Sequence, residues 1–329
     1  MPGPWTCEMT SPLENALELN LESPAECPLC GSESHTIFEK YGHWIFQCKS
    51  CDHYFSLPAN PGSHASQVYS DEYFLGRADG YPDYVTESAL LVSRGMKYAR
   101  LMSRFVEPTR CLDVGAAAGF LLKGFVENGW EGVGLEPNAA MLAYGKEHLQ
   151  LDMRQGTLED NGIGEQFDLV LMIQVIAHLH DIQQGLKNLA ALSRHGGFVL
   201  IETWDRASLT ARTLKGKWHE FNPPSVLHWF TKKRLISLME EHGFYLIATG
   251  RPLKWISISH AISLGLHRTK PLGKRRFLDR IAPNWAIPYP SEDLFWSVFR
   301  HREPSIDGLT NRDTVAGMTA KSRHLSSVT

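Results

Sequence analysis

The segment Cys111-Leu-Asp-Val-Gly-Ala-Ala-Ala-Gly-Phe-Leu-Leu122 constrains the fold of this chain more than any other. It reads as a buried strand, a tight glycine-bearing turn and the opening of a helix. Gly115 and Gly119 let the backbone pass close to a ligand, while Asp113 ends the strand with a carboxylate aimed into the same crevice. A dinucleotide fingerprint wants further glycines, but Ala117 and Phe120 stand in those places, which weakens a pyrophosphate reading. A phosphate-free nucleoside beside an acidic group suits the loop better.

A second apolar strand, Val133-Gly-Leu-Glu-Pro-Asn138, ends in Glu136, at the interval where an acidic side chain accepts both hydroxyls of a ribose. Further on come Arg154-Gln-Gly-Thr-Leu-Glu159, the strand-like Gln166-Phe-Asp-Leu-Val-Leu-Met-Ile-Gln174, then Val175-Ile-Ala-His-Leu179 and Gly196-Gly-Phe-Val-Leu-Ile-Glu202. With these motifs in this order, the chain resembles the class I S-adenosylmethionine-dependent methyltransferases. The resemblance runs from about residue 90 to 300. It implies an α/β fold, a Rossmann-like doubly wound sheet of seven strands whose last strand, around 294–299, lies antiparallel. It also implies S-adenosyl-L-methionine as cofactor. Asp113, Gly115, Ala117 and Gly119 would surround its methionine end, Glu136 and Pro137 the ribose, and Thr157 and Leu158 the adenine, with Gln174 beside the methyl group. Ala117 takes the place of the usual middle glycine, and Thr157 stands where an Asp is common.

Ahead of this region, Cys27-Pro-Leu-Cys30 and Cys48-Lys-Ser-Cys51 form two knuckles separated by 17 residues. Four thiolates close a tetrahedral shell around zinc, and each x-x turn puts both of its ligands on one tight loop. Cys27, Cys30, Cys48 and Cys51 are therefore the expected ligands of a small structural zinc ribbon, with a redox pair as the lesser reading. With four protein ligands such a shell leaves no open position for catalysis. His43 and His53 could each replace a thiolate, but surface histidine is the simpler reading.

The organisation follows: a disordered leader over 1–25, the ribbon over 26–58, an aromatic linker or lid over 59–85, a methyltransferase domain over 86–302 and a disordered tail over 303–329. The lid segment carries Tyr69, Tyr73, Phe74, Tyr81 and Tyr84, whose rings either pack the linker down or close over a sulfonium cation. Apolar residues at helical spacing over 86–105 predict a docking helix, Asn128-Gly129 stops the helix after the first strand, and Pro137 opens the next. The run 167–173 is too apolar to have an exposed face, as a parallel sheet requires.

Beyond Glu202, the residues Pro224, His228, Trp229, Phe230 and Thr231 precede a basic helix over 232–242. This resembles a segment of methyltransferases from bacterial glycan and natural-product pathways, with Val226 in place of a histidine. Residues 251–280 hold eight Lys or Arg against Asp279 alone, a local charge of +7. They read as a basic insertion with a solvated rim, or as a surface for an anionic or lipid-linked acceptor or a membrane face.

The net charge of −3 gives no global attraction to nucleic acid, and no apolar run approaches a membrane span, so a cytoplasmic protein is expected. The function expected is methyl transfer to a small molecule, as O-methylation of a sugar, glycolipid or polyketide-like intermediate. The alternatives are an RNA methyltransferase with a zinc module, and a non-catalytic scaffold that binds the cofactor. Displacement at a sulfonium needs alignment, a dry pocket and, for an oxygen nucleophile, a base. His178 and His228 are the candidate bases, with His219 behind them.

Overall fold

The computed structural model describes residues 25–69, 87–160, 164–252, 254–257, 286–289 and 291–303. Most of the leader, of the aromatic lid, of the basic insertion and of the tail lies outside the described residues.

The chain opens with β1 (Ser34–Lys40) and β2 (His43–Cys48), an antiparallel pair. Tyr41 and Gly42 join them with φ of 53° and 80°, the double positive φ of a two-residue hairpin whose twist matches its strands. β3 (Tyr54–Phe55) and a short helix α1 (His64–Val68) follow. Helix α2 (Ser88–Met102) leads into the alternation: β4 (Arg110–Val114), α3 (Phe120–Val126), β5 (Glu131–Glu136), α4 (Ala139–Leu149), β6 (Asp152–Gln155), β7 (Phe167–Ile173), α5 (Ile182–Leu192) and β8 (Ser193–Trp204). Then come α6 (Leu209–Leu214), β9 (His228–Trp229), α7 (Lys232–Glu241), β10 (Phe244–Gly250), the hairpin β11 (Lys254–Ser257) and β12 (Ala286–Tyr289), and β13 (Leu294–His301).

Seven strands form the central sheet in the order β10-β13-β8-β7-β4-β5-β6. From β8 through β7, β4 and β5 to β6 every pairing is parallel, and β13 runs antiparallel between β8 and β10, as expected of a last strand. Successive residues of a strand face opposite sides, and the core divides accordingly. Leu112, Val170, Met172 and Val199 meet α5 and α7, while Cys111, Leu169, Leu171 and Leu200 meet α2 and α3. Every residue from Leu169 to Met172 is inaccessible to solvent, which accounts for the unbroken apolar run. Strand order reverses beside β4, and the crevice at the carboxyl ends of β4 and its neighbours is where such sheets bind ligands.

Helix α2 crosses α3 in close contact because both are glycine at the crossing. A Cβ on Gly95 would overlap the carbonyl oxygen of Leu121, and one on Gly124 would overlap the backbone of Val92 and Met96. Neither neighbour is a side chain that can turn away. Gly95→Ala is accordingly expected to cost about 1–3 kcal/mol, the range for overpacking a close-packed contact, read as a lowered denaturation midpoint at unchanged slope. An unchanged midpoint would show that the crossing yields freely.

One detail differs from the sequence reading, and two others add to it. Pro137 precedes α4 instead of opening it, because Asn138 is the cap and its side chain accepts from Met141 N at 2.8 Å. Gly196 and Gly197 lie within β8, whose register against β7 shifts near this point. The segment between β8 and β9, polar by composition, buries Trp218 and Phe221 against Ile45, Trp229 and Ala177. The ribbon is thus no separate bead: β9 is the fourth strand of its sheet, in the order β1-β2-β3-β9.

Candidate cofactor and catalytic site

A cleft opens where β4, β5, β6 and β7 end. Asp113, Gly115 and Ala117 line one wall, on a turn held open by positive φ at Gly115 (66°), Ala117 (48°) and Gly119 (82°). Gly115 and Ala116 both donate their N–H to Leu135 O, which ties the turn to β5. A Cβ on Gly115 would lie 2.8 Å from Val175 Cγ2, so the glycine meets both a backbone and a packing demand. Ala117 adopts the left-handed conformation without glycine because its N–H is captured by a carboxylate: Glu136 Oε2 accepts from Ala117 N at 2.8 Å. Glu136 Oε1 accepts from Asn138 N, also at 2.8 Å, so one side chain braces the turn after β4 and the turn after β5.

Both acids of this wall are buried. Burial pushes the Asp113 carboxyl up to about 8, with the nearby Glu136 charge adding to it. Burial raises Glu136 too, opposed by the N–H groups of Asn138 and Ala117. Pro137, Thr157 and Leu158 line the opposite end. Thr157 is set by Asp160, whose Oδ2 accepts from both Thr157 N and Oγ1 at 2.9 Å.

Gln174 and His178 complete the third side. Gln174 has φ 63°, and its amide donates to Glu202 Oε1 at 2.8 Å. Glu202 is wholly buried and also receives the guanidinium of Arg94 and the hydroxyl of Tyr98. Arg94 lines the cleft, and its Nε has no partner among the described residues. It is a cleft residue that sequence reasoning missed. The available signal was Glu202 itself, a carboxylate ending an apolar strand, which demands a buried cation.

His178 Nδ1 lies 2.6 Å from Ser225 O and 2.9 Å from Tyr69 Oη. A carbonyl can only accept, so Nδ1 carries the proton and Nε2 keeps its lone pair. Burial lowers this imidazole below its usual range, with the Ser225 carbonyl opposing, so the ring is neutral at physiological pH. His228 does not share the cleft. It is buried, with Nδ1 3.2 Å from His53 Nε2 and Nε2 2.9 Å from Leu179 O, and burial pulls it to about 4. Both nitrogens are engaged within the protein, which removes it as a candidate base. His219 is half exposed and sits 2.8 Å from Glu220. Gly119 also lies off the cleft. It caps α3, and a Cβ there would meet Leu151 Cδ1 at 2.5 Å, so its part is to let the helix start against β6.

The four cysteines of the knuckles form one cluster with their sulfurs within 4.8 Å of one another. Cys27–Cys51 is 3.7 Å, and Cys30 is 3.5 Å from both Cys48 and Cys51. A disulfide needs about 2.05 Å, whereas a tetrahedron of thiolates at about 2.3 Å from zinc has edges of about 3.8 Å. Ser50 N and Cys51 N both point at Cys48 Sγ at 3.4 Å, supporting a thiolate there. The donor set fits a tetrahedral metal with no histidine in it. His53, read as a surface residue, is instead buried and stacked on His228 with ring centroids 5.4 Å apart, because β9 covers it.

This strand order, with an acid-braced turn at the switch of the sheet, is similar to that of class I S-adenosylmethionine-dependent methyltransferase domains. Residues 93–249 match the family model described as a methyltransferase domain. Similar curated proteins include the ubiquinone biosynthesis O-methyltransferase of Nitrobacter winogradskyi, 34% identical over 153 residues that cover 41% of this chain and 59% of that protein. The protein of the same description from Rhodopseudomonas palustris strain TIE-1 is 34% identical over 157 residues, 42% of this chain and 62% of that one. The chain thus spans about three-fifths of the length of these relatives. A chain of the complex between the Haloferax volcanii Trm112 methyltransferase activator and its methyltransferase shares the fold, with a TM-score of 0.50 at 15% identity over 70% of this chain and 96% of that one. Among the described residues no helix is long and apolar enough to cross a membrane.

Proposed function

We propose that this protein transfers the methyl group of S-adenosylmethionine to a hydroxyl of a small molecule, with His178 as the base. Glu136 would take the ribose hydroxyls, Thr157 and Leu158 the adenine edge, and Asp113 the ammonium of the methionine end. Arg94, fixed by Glu202, would take its carboxylate. Zinc would occupy the four thiolates and stay out of the chemistry, since a closed four-sulfur shell offers no position to substrate.

The observation that carries this reading is the imidazole of His178, locked through Nδ1 to Ser225 O at the rim of the cleft with Nε2 left as acceptor. An imidazole lowered below its usual range is a weak base, better matched to an acidified hydroxyl than to an aliphatic one. A phenol, at about pKa 10 by analogy with tyrosine, is within its reach. Of the expected acceptors this favours an aromatic or enolic polyketide-like hydroxyl over a sugar alcohol. The curated relatives, named as O-methyltransferases, agree with oxygen as the acceptor atom. The charge of +7 over 251–280 supports an anionic or lipid-linked acceptor.

The test is calorimetry with S-adenosylmethionine, followed by transfer of labelled methyl to a panel of phenols, glycolipids and sugars. Failure to bind the cofactor overturns the proposal, and transfer only to RNA replaces it. The base has its own signature. His178 acts when neutral, so kcat/KM should rise with pH through a point below 6.5 and stay flat through neutrality. His178→Ala should lower kcat about 10²–10⁴-fold and abolish that acidic limb while cofactor affinity holds. An unchanged pH profile in the variant would remove His178 from the reaction.

A further inference from the structure

The ribbon is joined to the cleft at several points, all within a few residues of the thiols. Cys48 N donates to His53 O at 2.9 Å, and β3 begins at the next residue. β3 pairs with β9, Tyr54 opposite Trp229 and Phe55 opposite His228, and Ser56 N donates to Leu227 O at 2.9 Å. From β9 the bonds pass into the cleft wall: Leu227 N to Ala177 O at 2.8 Å, His228 Nε2 with Leu179 O at 2.9 Å, and Ser225 O with His178 Nδ1 at 2.6 Å. The other knuckle reaches the same segment, because Gln183 Nε2 donates to Pro28 O and Leu29 O at 3.0 and 3.2 Å. Cys27, Leu29, Cys48 and Phe55 share one apolar cluster with Leu179 and Ile182.

We propose that metal occupancy of the four-cysteine site and cofactor binding in the cleft are thermodynamically linked, with the His53–His228 pair as the positioning element between them. The inference rests on the methyltransferase reading of the cleft. Without a cation, the sulfurs of the two knuckles are joined only by weak S–H···S contacts of 3.5–3.7 Å, and β3 loses one of its anchors. β9 then holds residues 175–179 less firmly, and the cofactor must order them at its own expense. A metal that has already ordered them removes that cost. Linkage is reciprocal, so the cofactor must tighten the metal by the same factor as the metal tightens the cofactor.

The test measures zinc affinity of the full-length protein by competition with a chromophoric chelator, with and without saturating S-adenosylhomocysteine. Zinc affinity should rise at least about fivefold, the lower end of usual coupling. His53→Phe keeps all four cysteines and an aromatic ring, so it should still hold one zinc per chain. Its enhancement should fall toward unity, and His53→Gln, which keeps a polar atom, should recover part of it. Zinc affinity unmoved by a nucleoside that does bind overturns the linkage alone, and a full enhancement in His53→Phe overturns the route through His228. No nucleoside binding to the zinc-loaded protein overturns the methyltransferase reading and this inference together.

Discussion

Glu202→Ala should lower the unfolding free energy by about 3–5 kcal/mol, the cost of breaking a buried ion pair from one side. Glu202 sits at the end of β8 with no solvent access, and three donors converge on it: the Arg94 guanidinium, the Tyr98 hydroxyl and the Gln174 amide. Removal leaves all three facing a cavity. Tyr98 is itself pushed up to about 12 by burial, so it stays a neutral donor and cannot replace the lost charge. Glu202→Gln keeps the volume and one acceptor and should cost less. Urea denaturation reads both, and a loss under about 1 kcal/mol for the alanine variant would mean that the network contributes little beyond its packing. The variant carries a second signature: Arg94, no longer pinned, should lose its aim into the cleft, so cofactor affinity falls along with stability.

Much of this architecture was legible in the sequence because its signals are local. A strand too apolar for an exposed face, a glycine turn after Asp113 and an acid at the end of the next strand each report on a few neighbouring residues, and the sheet follows from their order. The two C-x-x-C knuckles are local in the same way. What escaped were contacts made across the chain. Nothing in Arg94 announces that it meets Glu202, 108 residues away. His228 looked like a free base because its burial comes from His53, 175 positions earlier, and that contact exists only because β9 joins the ribbon's sheet. Gly119 was placed at the methionine end of the cofactor by resemblance, whereas in the fold it makes room for Leu151. Ala117 looked like a departure from the usual middle glycine. The bond from its N–H to Glu136 shows how the turn keeps a left-handed residue there without glycine.

Glu136→Ala should weaken S-adenosylmethionine binding by about 100-fold or more. A carboxylate that accepts two hydroxyls gains about 1.5–3 kcal/mol from each, and each 1.4 kcal/mol is about tenfold in affinity. The same substitution frees Ala117 N and Asn138 N, so both turns of the cleft lose their brace as well as the ribose its partner. Glu136→Gln keeps one acceptor oxygen and should fall between. The buried acids also predict how binding depends on pH. Glu136 must be ionised to accept both hydroxyls, and its carboxyl is raised by burial, so affinity should fall as pH drops through a point above 4.5. Asp113, at about 8, holds a proton at pH 7 in the empty cleft, and a cationic methionine end favours its ionised form. Cofactor binding at neutral pH should therefore release a proton, seen in calorimetry as a binding enthalpy that varies with the ionisation enthalpy of the buffer. Asp113→Asn should remove that dependence. If the alanine variant of Glu136 binds as tightly as the parent and no proton leaves on binding, the nucleoside does not sit between these two acids, and methyl transfer in this cleft is excluded.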